Sequence, residues 1–157
     1  MIELLHLNKS FGPIMAVNDL NLKVEKSKTV GFLGPNGAGK TTTIKILTNL
    51  IGATSGRALL NGVDVTEDPK AALAHVGAVV ETPEFYPFLT PVETLAYLGR
   101  LRGMSSSDIT IRTNEVLNLV KMDQWRSTRI GKFSKGMKQR LAIGQALLHE
   151  PDVLILD

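Results

Sequence analysis

The segment Gly34-Pro35-Asn36-Gly37-Ala38-Gly39-Lys40-Thr41-Thr42 limits what this chain can fold into more than any other stretch. Glycine, four free positions, glycine, lysine and then serine or threonine is the pattern of a phosphate-binding loop, provided that a strand precedes it and a helix follows. Both flanks read that way. Residues 29–33, with Val30, Phe32 and Leu33 apolar, read as a short buried strand, and residues 42–50 read as a helix with Ile44, Leu47 and Ile51 on its inner face. Gly34, Gly37 and Gly39 let the backbone curl until successive N–H groups face one anion. A helix starting near Lys40 adds unpaired N–H groups and the positive end of its dipole. Lys40 then reaches the β- and γ-phosphates as a point charge, and the Thr41 hydroxyl is an oxygen ligand for Mg²⁺.

The 157 residues suffice for one domain with a real core, and a hydrophobic fraction of 43% places the chain among globular proteins. Without cysteine it forms no disulfide and no thiolate metal site. A formal net charge of +3, spread along the chain, gives no reason to expect a nucleic-acid partner. No apolar run is long enough to cross a bilayer, and the first residues lack the apolar core of a signal peptide. If the chain works at a membrane, something else must hold it there.

Ahead of the loop, residues 2–7 and 16–24 read as strands joined by a turn at 9–13 through Gly12-Pro13. Two roles fit Phe11 in that turn: a staple that packs the turn onto the sheet, or an aromatic face on which an adenine ring stacks. Beyond the loop, Asn61-Gly62 between the apolar runs 57–60 and 63–65 is a hairpin signal, and Asp68-Pro69 opens a short helix to Leu73. The small and β-branched residues 76–80 read as a buried parallel strand ending at Glu81. Residues 82–91, rich in proline and carrying Phe85, Tyr86 and Phe88, form an ordered loop at the end of that strand, where open parallel sheets bind ligands. Helices follow at 92–102, 106–120 and 124–129, the second capped by Ser107-Asp108.

Residues 133–140 lead into a helix over 141–149 whose start carries Lys135 and Lys138. Cations there oppose the helix dipole, so this end is either simply solvated or turned towards an anion, to which Ser134 would also donate. Pro151 stops the helix, and 153–156 form a buried apolar strand ending in Asp157. That carboxylate is either incidental or, as in P-loop NTPases, placed beside Mg²⁺. His6, His75 and His149 read as surface or packing residues.

With these residues in place, the whole chain resembles the ATP-binding domain of ABC transporters, similar to the bacterial antibiotic-export and immunity type. Residues 34–42 look like the Walker A motif, 153–157 like Walker B, and Phe133-Ser134-Lys135-Gly136-Met137 like the signature that separates this family from other P-loop proteins. Glu81 falls at the glutamine of the Q-loop, and Phe11 at the aromatic position that stacks on adenine. The resemblance implies an α/β fold: a P-loop NTPase (RecA-like) core with an N-terminal antiparallel β patch and a helical subdomain inserted at about 90–130.

It also implies ATP and Mg²⁺ as cofactors. Phe11, Gly34 through Thr42, Ser134 and Gly136 would bind the nucleotide, and Thr41, Glu81 and Asp157 the metal. Lys40, Glu81 and Asp157 would serve hydrolysis. The implied partners are a transmembrane transporter subunit and a second nucleotide-binding subunit, head to tail, with Ser134 of one copy facing the γ-phosphate held by Lys40 of the other. The implied location is cytoplasmic, peripheral on the inner membrane face through the partner.

Three departures matter. Glu81 replaces an amide by a carboxylate, and Lys135 and Met137 replace glycine and glutamine of the signature. The family's catalytic glutamate and switch histidine would follow Asp157, so the expectation is that the C-terminal part of the family domain is absent and that hydrolysis belongs to a longer protein. The rival readings are a non-transport ABC ATPase and a truncated nucleotide binder without hydrolysis. The short interval between Glu81 and Ser134, without heptads, speaks against the coiled-coil insertions of chromosome-type members.

Overall fold

Gly12 and Pro13 turn the chain between its first two strands, β1 (Ile2–Phe11) and β2 (Ile14–Val24), in the computed structural model, which describes residues 1–81 and 84–157. The remaining elements are α1 (Lys40–Leu47), β3 (Ser55–Leu60), β4 (Val63–Asp64), α2 (Pro69–Leu73), β5 (Val76–Val79), α3 (Pro91–Leu101), α4 (Ser106–Leu119), α5 (Lys135–Leu147) and β6 (Val153–Leu156). They group into two units, one of residues Met1–Ala74 with Asp157 and one of His75–Leu156. The fold is α/β, with the antiparallel patch expected at the N-terminus.

The first unit is built on an antiparallel sheet in the order β2-β1-β3-β4. The turn is tighter than the sequence suggests, because Lys9, Ser10 and Phe11 continue the ladder opposite Val17, Met15 and Ile14. The pairing slips in mid-strand, where His6 and Asp19 take left-handed backbone at φ 48° and 44°. There the Asn21 and Asn8 side chains accept the His6 and Asp19 N–H groups, each at 2.8 Å, in place of ladder bonds lost at the irregularity. Asn61 and Gly62, at φ 51° and 86°, make the predicted hairpin turn, which needs positive φ at both central residues. Helices α1 and α2 pack on this sheet, burying Ile44, Ile46, Leu47 and Ala72 with Leu4, Leu7, Val17, Ala58 and Leu60.

Asp64 is buried at the edge of that core. Burial pushes its carboxyl up, but hydrogen bonds from the Thr66 N–H and from Arg57 Nε, both 2.8 Å, outweigh burial and hold it below the usual carboxylate range.

Two expectations about the loop's flanks fail. Residues 29–33 form no strand, and Leu33 is 91% exposed. A strand exists only through its ladder, and none among the described residues includes this segment. Its apolar run measures willingness to be buried and names no partner. Helix α1 starts at Lys40, with Gly39 at its cap, but ends at Leu47, short of the expected residue 50, so Ile51 lies beyond it.

In the second unit β5 and β6 pair in parallel, from Val76 opposite Val153 to Val79 opposite Leu156. Strand β6 is half-buried rather than buried: Val153 and Ile155 point inward, while Leu154 and Leu156 are exposed. Helices α3, α4 and α5 close on Leu95, Val116, Leu117, Met122, Ile130, Phe133, Leu141 and Leu148. A reciprocal Thr90–Glu93 cap and Pro91 start α3. Ser105, not Ser107 or Asp108, caps α4, because its backbone is extended and the helix begins at the next residue. The helix expected at 124–129 shrinks to a single 3₁₀ turn, Asp123–Trp125.

Thr82 and Pro83 of the proline-rich loop, and with them part of the expected ligand-binding loop, lie outside the described residues. Farther along that loop, the Pro87 and Leu89 carbonyls accept the Gly131 and Ile130 N–H groups at 2.8 and 2.9 Å. Phe85 packs against the core, whereas Tyr86 and Phe88 are exposed, with ring centroids 5.6 Å apart.

His149, just past α5, is a packing residue as expected. Its Nε2 lies 3.1 Å from the Val76 carbonyl, an acceptor, so Nε2 carries the proton and donates. Nδ1 is buried without a partner among the described residues. Burial, then Arg102, and after them His75 and Arg112 hold the imidazole below its ordinary value, against the Val76 bond. The neutral form is therefore the native one. His149 contributes stability that is fully present above the unfolded pKa of about 6.5 and is lost as pH falls through the lower folded value. Urea unfolding between pH 8 and pH 5 is expected to show stability declining below about pH 6.5. His149→Gln, which can still donate to Val76 but does not titrate, is expected to flatten that decline; an equally steep decline in the variant would contradict it.

Candidate functional site

The glycine loop is shaped by how closely its backbone approaches β2. Gly39 sits at φ 82°, and a Cβ placed there would lie 2.3 Å from the Ala16 carbonyl oxygen and 3.2 Å from the Val17 side chain. Only glycine tolerates both the left-handed backbone and that approach. As the cap of α1 it brings no side chain to the helix, so no side chain claims the first N–H groups of α1. The Gly39 carbonyl accepts the Thr43 N–H at 2.8 Å and the Thr43 hydroxyl at 2.9 Å, which fixes the first turn from behind.

Lys40 folds back over the loop. Its Nζ donates to the Gly34 and Pro35 carbonyls, each at 2.8 Å, and the Pro35 carbonyl also accepts the Ala38 N–H at 3.2 Å. The ammonium thus hangs over the curled backbone, with exposed Asn36, Gly37 and Ala38 at the rim. Unclaimed helix N–H groups and a tethered ammonium form a positively polarised concavity suited to a polyphosphate.

One residue along, the Thr41 hydroxyl donates to the Asp157 carboxylate at 3.2 Å. The sequence separates these oxygens by most of its length, and the first unit joins them. An alcohol and a carboxylate are hard oxygen donors suited to Mg²⁺. Among the described residues there is no group of three or more histidine, aspartate or glutamate side chains placed to hold a metal. A cation here would therefore complete its shell with the oxygens of an anionic ligand, as Mg²⁺ does with phosphates. Thr42, the next residue of α1, is half-buried on the same first turn.

Phe11 belongs to the same unit, at the tip of the β1–β2 hairpin, and is 50% exposed. A residue stapling the turn would be covered, so its exposure weighs against that role. Sequence reasoning passed over Lys9, whose Nζ donates to the Gly52 carbonyl at 2.7 Å and stands 4.9 Å from the Phe11 ring centroid. The signal was available: in a strand, residues two apart share a face.

Glu81, Ser134 and Gly136 lie in the second unit. Glu81 is exposed and adopts left-handed backbone at φ 71°, a conformation that costs a non-glycine residue about 1–2 kcal/mol. Ser134 is the cap of α5, its hydroxyl accepting the Met137 N–H at 3.3 Å, so this helix starts before the predicted residue 141 and its first turn holds Lys135, Gly136 and Lys138.

Comparison with known proteins yields matches across this geometry. The family model for the ABC transporter matches residues 17–157. The chain is 41% identical, over its full length, to the bacitracin transport ATP-binding protein BcrA of Bacillus licheniformis, and covers 50% of that protein. Among solved structures, an ATP-binding subunit of an ABC transporter is 30% identical at a TM-score of 0.89, the match covering all of this chain and 65% of that one. An ATP-binding cassette in a dimeric, post-hydrolysis state bound to ADP and Pi is 25% identical at a TM-score of 0.86, with all of this chain and 73% of that one covered. The chain spans about half the length of the curated relatives it matches.

The two loop glycines separate space from backbone conformation. Gly37 has φ 83° but open space around it, whereas Gly39 has both positive φ and the Ala16 carbonyl in the way. Gly37→Ala is expected to cost about 1–2 kcal/mol in thermal or urea unfolding, the left-handed penalty alone. Gly39→Ala is expected to cost clearly more and to disorder the loop; equal costs would show that β2 does not hold it.

Proposed function

The chain belongs to the ABC transporter family, and from that premise we propose that it is the ATP-binding, energy-coupling part of a membrane transporter whose transport is driven by ATP hydrolysis. The observation that carries this reading is the Lys40 ammonium held over the curled loop by the Gly34 and Pro35 carbonyls, at the uncapped start of α1. A triphosphate entering there exchanges weak neutral acceptors for charged ones, and charge-assisted bonds are about twice as strong as neutral ones.

Each residue then has a task. The backbone from Gly34 to Gly39 and the N–H groups at the start of α1 receive the phosphates, Lys40 spans the β- and γ-phosphates, and Thr41 and Asp157 are the protein's share of the Mg²⁺ shell. Mg²⁺, when bound, neutralises charge between the phosphates. Thr42 adds a hydroxyl beside Thr41, and Phe11 offers its exposed ring to the base. Glu81 is a further carboxylate for the metal or for orienting water. P-loop hydrolysis is mostly positioning and charge stabilisation, and Lys40, Glu81 and Asp157 are the groups assigned to it.

The partners follow from the same premise. A second copy lies head to tail, with Ser134 and the Gly136 N–H directed at the γ-phosphate held by Lys40 of the first; a similar cassette is known as a dimer. The helical subdomain at about 90–130 and the exposed Tyr86 and Phe88 face a transmembrane subunit. The location proposed is the inner membrane face, held through that subunit; among the described residues no helix is long and apolar enough to cross a membrane. Similarity to a bacitracin transport ATP-binding protein supports the antibiotic-export type of transporter.

Titration with fluorescent ATP tests the binding site. Lys40→Ala removes a charge-assisted contact of about 1.5–3 kcal/mol, so ATP affinity is expected to fall roughly tenfold to hundredfold. Unchanged affinity would refute the phosphate role. The metal assignment is read separately: Asp157→Ala is expected to reduce the gain in ATP affinity on adding Mg²⁺ while leaving affinity in EDTA near that of the unaltered chain. An undiminished Mg²⁺ effect would remove Asp157 from the shell.

A further inference from the structure

We propose that Lys9 is a positioning residue for the nucleobase, a reading that depends on Phe11 receiving the base. The ammonium of Lys9 is fixed by the Gly52 carbonyl, sits against one face of the Phe11 ring, and so presents the other face to a base.

Lysine is ordinarily a mobile cation on a flexible stem. Here both ends of the arrangement are fixed. Lys9 and Phe11 are two apart on β1, which places them on one face of the strand. Nζ donates to the Gly52 carbonyl at 2.7 Å and lies 4.9 Å from the ring centroid, inside the range of a cation–π contact. The acceptor is itself anchored, because the stretch between α1 and β3 is tied to β1 by the Thr54 N–H on the Asn8 carbonyl and by the Ser10 N–H on the Thr54 hydroxyl, each at 2.9 Å.

This contact leaves Phe11 half exposed at the hairpin tip, so it orients the ring without burying it. A ring held in one orientation loses less freedom when a base stacks on it, which is the general advantage of preorganisation. A base has a π-face whatever its identity, so the device fits purine and pyrimidine nucleotides alike.

The test compares ATP with inorganic tripolyphosphate, which shares the phosphates but has no base, on the unaltered chain, Lys9→Met, Lys9→Arg, Phe11→Ala and the Lys9→Met/Phe11→Ala double variant. Lys9→Met is expected to weaken ATP roughly twofold to tenfold, the ordering cost of one interface side chain that the contact no longer removes in advance. It should leave tripolyphosphate unchanged and add almost nothing once Phe11 is alanine. Lys9→Arg, which keeps a cation, should retain most of the ATP affinity. An equal loss for ATP and tripolyphosphate would make Lys9 a phosphate-directed charge and overturn the proposal, as would a Lys9→Met effect that persists in full without Phe11, or no effect at all. If Phe11→Ala alone leaves ATP affinity intact while Lys40→Ala weakens it, the stacking role of Phe11 fails and the proposal with it, yet the phosphate site stands.

Discussion

The contact on which the candidate site depends is between backbones: the Gly39 Cα presses against the Ala16 carbonyl of β2 so closely that a Cβ would meet it at 2.3 Å. That approach, with φ at 82°, turns the chain from loop into helix without a capping side chain. The positive end of α1 is thereby left to whatever anion the loop receives. The same sheet that supplies Ala16 carries Phe11 at its hairpin tip and buries the inner face of α1. Hydrophobic packing of α1 and precise placement of its N-terminus are thus one event, because the packed helix cannot shift without moving the loop.

Charge is arranged around this frame with little redundancy. Lys40 is held by two carbonyls, neutral acceptors that a phosphate can outcompete. Thr41 holds Asp157 by one hydrogen bond of 3.2 Å, long for an O–H donor to a carboxylate. Contacts of this kind hold the groups in place while leaving them exchangeable. The structural ion pair of the same unit differs: Asp64 is buried, takes bonds from Arg57 and Thr66, and fixes the β3–β4 hairpin. In the second unit the helices close on an apolar cluster, and the groups tied to the site by resemblance, Glu81 and Ser134, lie outside that cluster.

Much was legible in the sequence where the signal was local. The glycine loop, the Asn61-Gly62 turn, the short helix opened by Asp68-Pro69 and the parallel strand read over 76–80 each depend on a few neighbouring residues whose steric or hydrogen-bonding preferences admit few solutions, and the structure has them, the strand one residue shorter. The strand expected at 29–33 was not to be had this way, since its apolar run carries no information about a ladder partner. The helix expected at 124–129 reduced to a 3₁₀ turn, its backbone closing from i to i+3 at the Arg126 N–H on the Asp123 carbonyl and again at the Thr128 N–H on the Trp125 carbonyl.

For the site, the sequence by itself determined the local chemistry on offer: a glycine-spaced backbone, one ammonium and a hydroxyl within one turn of chain, because glycine spacing and residue type dictate that locally. Tertiary structure alone decided what those groups meet. It placed Asp157 against Thr41 across most of the chain length, set β2 behind Gly39, and brought Gly52 and Lys9 to the ring of Phe11. The physical reason is that local preferences act over a few bonds, whereas these meetings are made by sheet register and helix packing. Both are set by burying distant apolar residues together, and no single segment encodes them.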